Sequence, residues 1–236
     1  MGDLVIVARS EDKLLQLKKE IEQQYSVKVI VISSDLTNSN ATLEIYQTIK
    51  KIDLKIDYLI NNAGFGGLGK FYERSLEDDV AMINLNIIAL TTLTRLFLPD
   101  FVKRNNGKIL NVSSTASLMP GPLQAVYFAT KAYASSFSNA IAAELYDTNI
   151  TVTNLMPGAT ATEFGKISGM DKTEMFKKTA SAYQVALEGY NGMLKGKLDV
   201  ISGLTTMQKI MIWSIPFSPK KMVLKITKKL QEVKND

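Results

Sequence analysis

Six short runs of mostly β-branched and aliphatic residues alternate along this chain with longer segments whose apolar positions recur every three or four residues. The short runs lie at 4–8, 27–33, 56–60, 108–112, 151–155 and 199–201. Most are continuously apolar rather than strictly alternating, the pattern of parallel strands covered on both faces. The helical pattern occupies 11–24, 39–51, 76–104, 124–147 and 181–195, with Ser10 and Ser39 placed as N-caps. Strands and helices in alternation predict an α/β fold: a Rossmann-like, doubly wound parallel sheet in three α/β/α layers with right-handed crossovers. From residue 203 the pattern is helical to the end, with Pro216 and Pro219 separating two helices. The expectation is a single domain over 1–236, a core at 1–202 and a helical C-terminal extension at 203–236. No stretch approaches ~20 uninterrupted apolar residues, so no membrane span is expected.

Composition narrows the chemistry. The 236 residues are 46% hydrophobic and 22% charged, enough for one sizeable core. Cysteine and histidine are both absent, which excludes disulfides, thiolate metal sites, histidine zinc sites and any Ser-His-Asp triad. Acid–base chemistry near neutral pH therefore falls to Tyr, Lys, Asp or Glu. The net charge of +5 is local: residues 219–236 hold six lysines against two acids, and the remainder is nearly balanced. A nucleic-acid-binding face is not expected. The apolar run at 4–8 has no basic flank or cleavage signature, and a cytoplasmic location is expected.

Gly64, Gly66 and Gly69 spell G-x-G-x-x-G after a predicted strand, which could mark a dinucleotide fingerprint. A helix should then open on the last glycine and face a pyrophosphate. Instead 70–74 intervene, the next helical pattern starts near Ser75, and Asp78 and Asp79 fall in that helix start. A loop beyond a strand is the favoured reading. Tyr127-x-x-x-Lys131 places a phenol and an ammonium on one helix face. With nine tyrosines in a lysine-rich chain, about one such spacing arises by chance. The chain holds a second, Tyr46-x-x-x-Lys50, taken as structural. Company distinguishes the first pair. Asn61-Asn62-Ala63-Gly64, Asn111-Val112-Ser113-Ser114, Asp35-Leu36 and 157–162 each follow a predicted strand, and Asn86 sits inside the long helical pattern. Ligands of open parallel sheets bind outside the carboxyl ends of strands.

In this order and spacing, Asn-Asn-Ala-Gly, Ser-Ser, Tyr-x-x-x-Lys and Pro-Gly-x-x-x-Thr resemble the short-chain dehydrogenase/reductase signature, over residues 3 to about 202. The resemblance implies Ser114, Tyr127, Lys131 and Asn86 as a catalytic tetrad. It implies Asp35 and Leu36 beside the adenine and Asn62, Ala63 and Gly64 under its ribose. Pro157, Gly158, Thr160 and Thr162 would hold the nicotinamide end, with Tyr127 and Lys131 also on the nicotinamide ribose. Arg9 would face the adenosine ribose, where a cation pairs with a 2′-phosphate, so NADP(H) is expected over NAD(H). The implied reaction interconverts a carbonyl and a secondary alcohol by hydride transfer. Lys131 would favour the Tyr127 phenolate, Ser114 would bond the developing oxyanion, and Asn86 would hold a water.

The family pattern opens with a strand and a Thr-Gly-x-x-x-Gly-x-Gly turn, and Met1 falls where the second strand should begin. The expectation is an N-terminally truncated enzyme; a decayed fragment or a non-catalytic interaction module are the alternatives. The segments at 118–123 and 164–176 are rich in Leu, Met and Phe and would border an apolar substrate. Residues 219–234 place Met222, Ile226, Leu230 and Val233 on one stripe among lysines; core covering is favoured over contact with an anionic membrane. The stretch 210–217 with Trp213 could be a lid or a subunit contact. In the family this chain resembles, the long helices near 76–104 and 124–147 commonly build dimers and tetramers, so the resemblance implies a homo-oligomer.

Overall fold

A computed structural model describes residues 2–233. Where the sequence suggested one continuous domain, contacts cluster into two compact units, one up to Lys55 and one from Ile56 onward. Strand pairing accounts for this. The strands of the first unit pair only with each other, and a separate four-stranded sheet belongs to the second.

The first unit consists of β1 (Leu4–Ala8), α1 (Glu11–Gln24), β2 (Val29–Ser33) and α2 (Ala41–Lys51). The two strands run parallel, with Leu4 opposite Val29 and Ala8 opposite Ser33. Residues Ala41, Ile45 and Ile49 of α2 recur every fourth position and are buried, the stripe that an amphipathic helix turns inward. The expected caps differ in detail. Ser10 does occupy the N-cap of α1, but its side chain makes no cap bond. Asn40 rather than Ser39 precedes α2.

The second unit carries β3 (Tyr58–Asn61), α3 (Leu76–Ile83), α4 (Leu90–Arg104), β4 (Gly107–Val112), α5 (Ala125–Glu144) and β5 (Ile150–Pro157). It continues with α6 (Phe164–Ser168), α7 (Ala182–Leu194), β6 (Asp199–Ser202), α8 (Thr206–Ser214) and α9 (Lys220–Gln231). Its strands lie in the order β3-β4-β5-β6, all parallel. Successive strand residues point to opposite faces, and both faces are covered. Leu110 and Leu155 pack with Val185 and Met193 of α7 on one side. On the other, Asn61, Asn111, Asn154 and Asp199 stand opposite one another in register across all four strands. Asn61 bonds Thr94 of α4 at 3.1 Å, Asn111 bonds Ser138 of α5 at 2.9 Å, and Asn154 bonds Ser135 at 3.2 Å. Helix, sheet, helix is the predicted layering.

The helix expected over 76–104 is present but not regular. A π-helical turn, Asn84–Ala89, joins α3 to α4. Such a turn interrupts the i, i+4 bonding and re-aims the side chains within it. Against the expectation of no span, this 29-residue stretch is long and apolar enough to cross a membrane by length and hydropathy alone. It also supplies Met82, Phe97 and Phe101 to the core of this unit.

The C-terminal helices form on either side of a 3₁₀ turn at Ile215–Phe217. On α9 the buried positions are Val223, Thr227 and Gln231, one residue out of step with the expected stripe. Met222, Ile226 and Val233 stay 49%, 45% and 44% exposed. Docking fixes this rotation: the Thr227 hydroxyl lies 3.7 Å from the Met119 sulfur.

Candidate active site

The site is built where β4 and β5 end and α5 begins. Ser114 follows β4 and caps a 3₁₀ turn, accepting from the Ala116 N–H at 3.1 Å. Its hydroxyl reaches the Pro157 carbonyl at the end of β5 at 3.4 Å and stands close enough to the Tyr127 phenol to favour its ionised form. Tyr127 and Lys131 lie one turn apart near the start of α5, and both are buried. The Lys131 Nζ donates to the Val112 carbonyl at 2.8 Å and stands 5.8 Å from the Tyr127 ring centroid. The Tyr46–Lys50 pair on α2 shows nearly the same separation, 5.9 Å. Burial is what differs, since Lys50 is exposed.

Electrostatics departs from the expectation of a phenol made acidic by its lysine. Burial pushes Tyr127 up to about 12, with the Ser114 hydrogen bond opposing. Burial also pulls Lys131 down to about 8. Both shifts penalise the charged form in a dry site. At neutral pH the phenol holds its proton, and the ammonium is charged at a desolvation cost.

Asn86 lies in the π-helical turn and is 2% exposed. Its amide donates to the Phe65 carbonyl at 2.9 Å and to the Thr130 hydroxyl at 3.0 Å, and accepts from the Phe65 N–H at 3.2 Å. The structure thus gives Asn86 two partners the sequence did not name, and it fastens the loop after β3 to α5. Thr130 was missed; its only sequence signal is its place next to Lys131. Along this loop a Cβ on Gly64 would come within 3.0 Å of the Asn86 oxygen and 3.2 Å of the Lys131 nitrogen. The glycine there permits close backbone approach. Asn62, Ala63 and Gly64 are exposed beside the buried pair. No helix opens on Gly69; Ser75 caps α3 instead, accepting from the Asp78 N–H. Asp79 is buried and paired at 2.8 Å with Arg74, which also reaches the Leu68 carbonyl at 3.4 Å. This ion pair anchors the glycine loop, a role the sequence did not suggest.

Beyond β5, the Gly158 N–H donates to the Ser202 carbonyl at 2.9 Å, and the Thr160 hydroxyl to the Gly158 carbonyl at 2.9 Å. The Thr162 hydroxyl accepts from the Phe164 N–H at 3.3 Å. Phe164 lies 5.3 Å from the Tyr127 ring, centroid to centroid, and stacks on Phe176. Met82, Ala116, Tyr127 and Phe128 form a buried cluster, with Phe65, Met119, Val126 and Phe164 packed against it. Pro157, Gly158 and Thr160 are half-buried, and Thr162 is exposed.

In the first unit, Arg9 is exposed just past β1. Asp35 accepts from the N–H and the hydroxyl of Thr37 at 2.9 and 2.8 Å. Those bonds, helped by the Arg9 charge, hold its carboxyl below the usual range. Leu36 beside it is half-buried.

The short-chain dehydrogenase family model matches residues 2–173. The chain belongs to this family. Among its relatives, a very-long-chain 3-oxoacyl-CoA reductase of Anas platyrhynchos is 36% identical over 196 residues, 80% of this chain and 61% of that protein. An NADP-dependent 3-hydroxy acid dehydrogenase of Schizosaccharomyces pombe is 33% identical over 165 residues, 70% of this chain and 64% of that protein. The chain spans about three-fifths of the length of the curated relatives it matches. A short-chain dehydrogenase from Sphingobium yanoikuyae in complex with NADPH superposes with a TM-score of 0.81 at 28% identity, over 90% of this chain and 82% of that one. A 7β-hydroxysteroid dehydrogenase shares the fold, with a TM-score of 0.82 at 23% identity, over 96% of this chain and 86% of that one. The residues in hand fit the nicotinamide nucleotide that the family implies. Lys131 spends one of its three N–H donors on Val112, and its other donors can serve a ribose diol. The exposed small residues Asn62 to Gly64 leave room for it.

Proposed function

We propose that this protein is an NADP(H)-dependent oxidoreductase that interconverts a ketone and a secondary alcohol on an apolar acyl substrate, with Tyr127 as the proton donor in reduction. Half-buried Ser114 beside buried Tyr127 and Lys131, with Met82, Phe128, Met119 and Phe164 packed around the Tyr127 ring, carries this proposal. A nicotinamide held there would supply the hydride for the carbonyl carbon. The Ser114 hydroxyl orients the carbonyl oxygen and stabilises its growing charge. The proton leaves the Tyr127 Oη for that oxygen. Burial pushes the Tyr127 pKa up to about 12, so the phenol carries its proton at neutral pH, the form required of a proton donor. Charged Lys131 would hold the ribose through its remaining N–H donors and support the phenolate left behind. Asn86 positions the Gly64–Phe65 backbone and Thr130.

The substrate class draws support from the cluster's apolar lining and from two relatives named for 3-oxoacyl and 3-hydroxy acid compounds. The preference for NADP(H) draws on a relative named as NADP-dependent and a neighbour holding NADPH. We also propose a homo-oligomer through the α3–α4 and α5 helices, supported by exposed Leu76, Val80, Ile83 and Ile88. The test is NADPH fluorescence titration, followed by NADPH consumption with a long-chain 3-oxoacyl thioester. Tyr127→Phe should leave binding intact and cost about 10²- to 10⁴-fold in kcat. Absence of binding at millimolar NADPH and NADH overturns the proposal and favours a non-catalytic protein.

A further inference from the structure

A second surface lies away from the catalytic residues. None of the nine residues of α8 is buried. A surface helix of a globular protein normally turns an apolar stripe inward. Here Met207, Ile210 and Met211 are 71%, 60% and 54% exposed, Trp213 is 75% exposed, and Phe217 just beyond is 89% exposed. The helix forms without core contacts to direct it. Thr205 and Gln208 cap its start reciprocally, satisfying two of the free N–H groups. Isolated exposed apolar residues are ordinary, but five bulky ones within eleven positions form a patch that marks an interaction site.

Charge identifies the occupant. Lys209 on α8 and Lys220, Lys221, Lys225, Lys228 and Lys229 on α9 are all exposed. Among the described residues from 203 to 233 the only acid is Glu232, 3.8 Å from Lys228. Half-exposed Met222 and Ile226 sit between these lysines, while Val223, Thr227 and Gln231 hold the opposite side of α9 inward. We propose that the α8–α9 segment docks on an anionic lipid surface. Trp213, Phe217 and the methionines enter the headgroup boundary, and the lysines reach the lipid charges with their stems along the apolar surface. A second copy of the same face would bring uncompensated lysines together, which disfavours self-association through it. This surface is independent of the reductase chemistry.

Trp213 is the chain's one tryptophan, so its emission reports on this patch alone. The whole chain is mixed with phosphatidylcholine vesicles, with or without one-third phosphatidylserine. Binding is followed by sedimentation and by Trp213 fluorescence. The expected result is co-sedimentation and a blue shift with the anionic vesicles, both reversed by high salt. The triple substitution Lys220→Gln, Lys221→Gln, Lys225→Gln should weaken binding more than tenfold, from about fivefold per lysine near an anionic surface. Ile210→Ser with Phe217→Ser should abolish the shift without lowering the melting temperature, because neither side chain is buried. No shift and no co-sedimentation overturn the proposal, as does equal binding to neutral vesicles. A shift that follows protein concentration without vesicles, with dimers in sedimentation velocity, overturns it in favour of a second copy.

Discussion

At the scale of single residues, the site is governed by desolvation. Lys131 is depressed to about 8 and Tyr127 raised to about 12 by the same dry surroundings. The two shifts predict a pH profile. The reductive kcat/KM should stay level through neutral pH and fall above about pH 8, where Lys131 loses its proton while Tyr127 keeps its own. A rate held constant to pH 10 would contradict the role given to Lys131. Stability should respond with the opposite sign. Because Lys131 has a lower pKa folded than unfolded, its contribution is greatest above the unfolded value of 10.5 and is lost as pH falls through about 8. The interval corresponds to roughly 3 kcal/mol at about 1.4 kcal/mol per tenfold change. Denaturant melts from pH 7 to 10 should therefore show the wild type gaining on Lys131→Met as pH rises. Above pH 10 the raised Tyr127 acts against this gain, since its neutral form is the one that the fold favours.

At the scale of elements, the sheet and the last helix make contrasting use of buried polar groups. In the in-register row, Asn111 accepts from the Asn61 amide at 2.8 Å and donates to Ser138 at 2.9 Å. Asn111→Leu would strip one buried bond from each partner, leaving Asn61 only its Thr94 bond and Ser138 only its bond to the Ala134 carbonyl, at about 1–3 kcal/mol each. The expected loss in urea unfolding is about 2–5 kcal/mol, with α4 and α5 loosened against β3 and β4. Gln231 presents the reverse case. It is fully buried on α9 and its amide has no partner among the described residues. Gln231→Leu should stabilise the protein by about 1–3 kcal/mol, read as a raised midpoint. Strand positions were legible beforehand because continuous β-branched runs have few alternatives in an α/β chain. The π-helical turn at Asn84–Ala89 was not, because two asparagines in an apolar helix leave the local period unchanged. The rotation of α9 was also hidden: its apolar stripe and its buried stripe differ by one residue, and contact with the Met119 loop decided between them.

At the scale of the whole molecule, two exposed apolar surfaces stand apart. One is the α3–α4 face with Leu76, Val80, Ile83 and Ile88; the other is α8 with Trp213 and Phe217. The first carries Glu77, Asp78 and Arg95 among its neighbours in sequence, whereas the second is almost purely basic. Mixed charge suits association between copies, and a one-signed surface opposes it. Val80→Lys should therefore shift the protein toward monomer in sedimentation velocity and leave vesicle binding unchanged. An unchanged sedimentation coefficient would place the subunit contact elsewhere.

The sequence alone determined the order of strands and helices and the absence of histidine and thiol chemistry, and it singled out Ser114, Tyr127, Lys131 and Asn86 as candidates. Periodicity and residue type are local properties, and they survive without coordinates. Tertiary structure decided what depends on burial and approach. It separated Tyr127–Lys131 from the equally spaced Tyr46–Lys50. It tied Asn86 to Phe65 and Thr130, paired Arg74 with Asp79, and turned α8 outward. The reason is physical: desolvation and packing are set by which distant segments meet, and no run of neighbouring residues encodes that by itself.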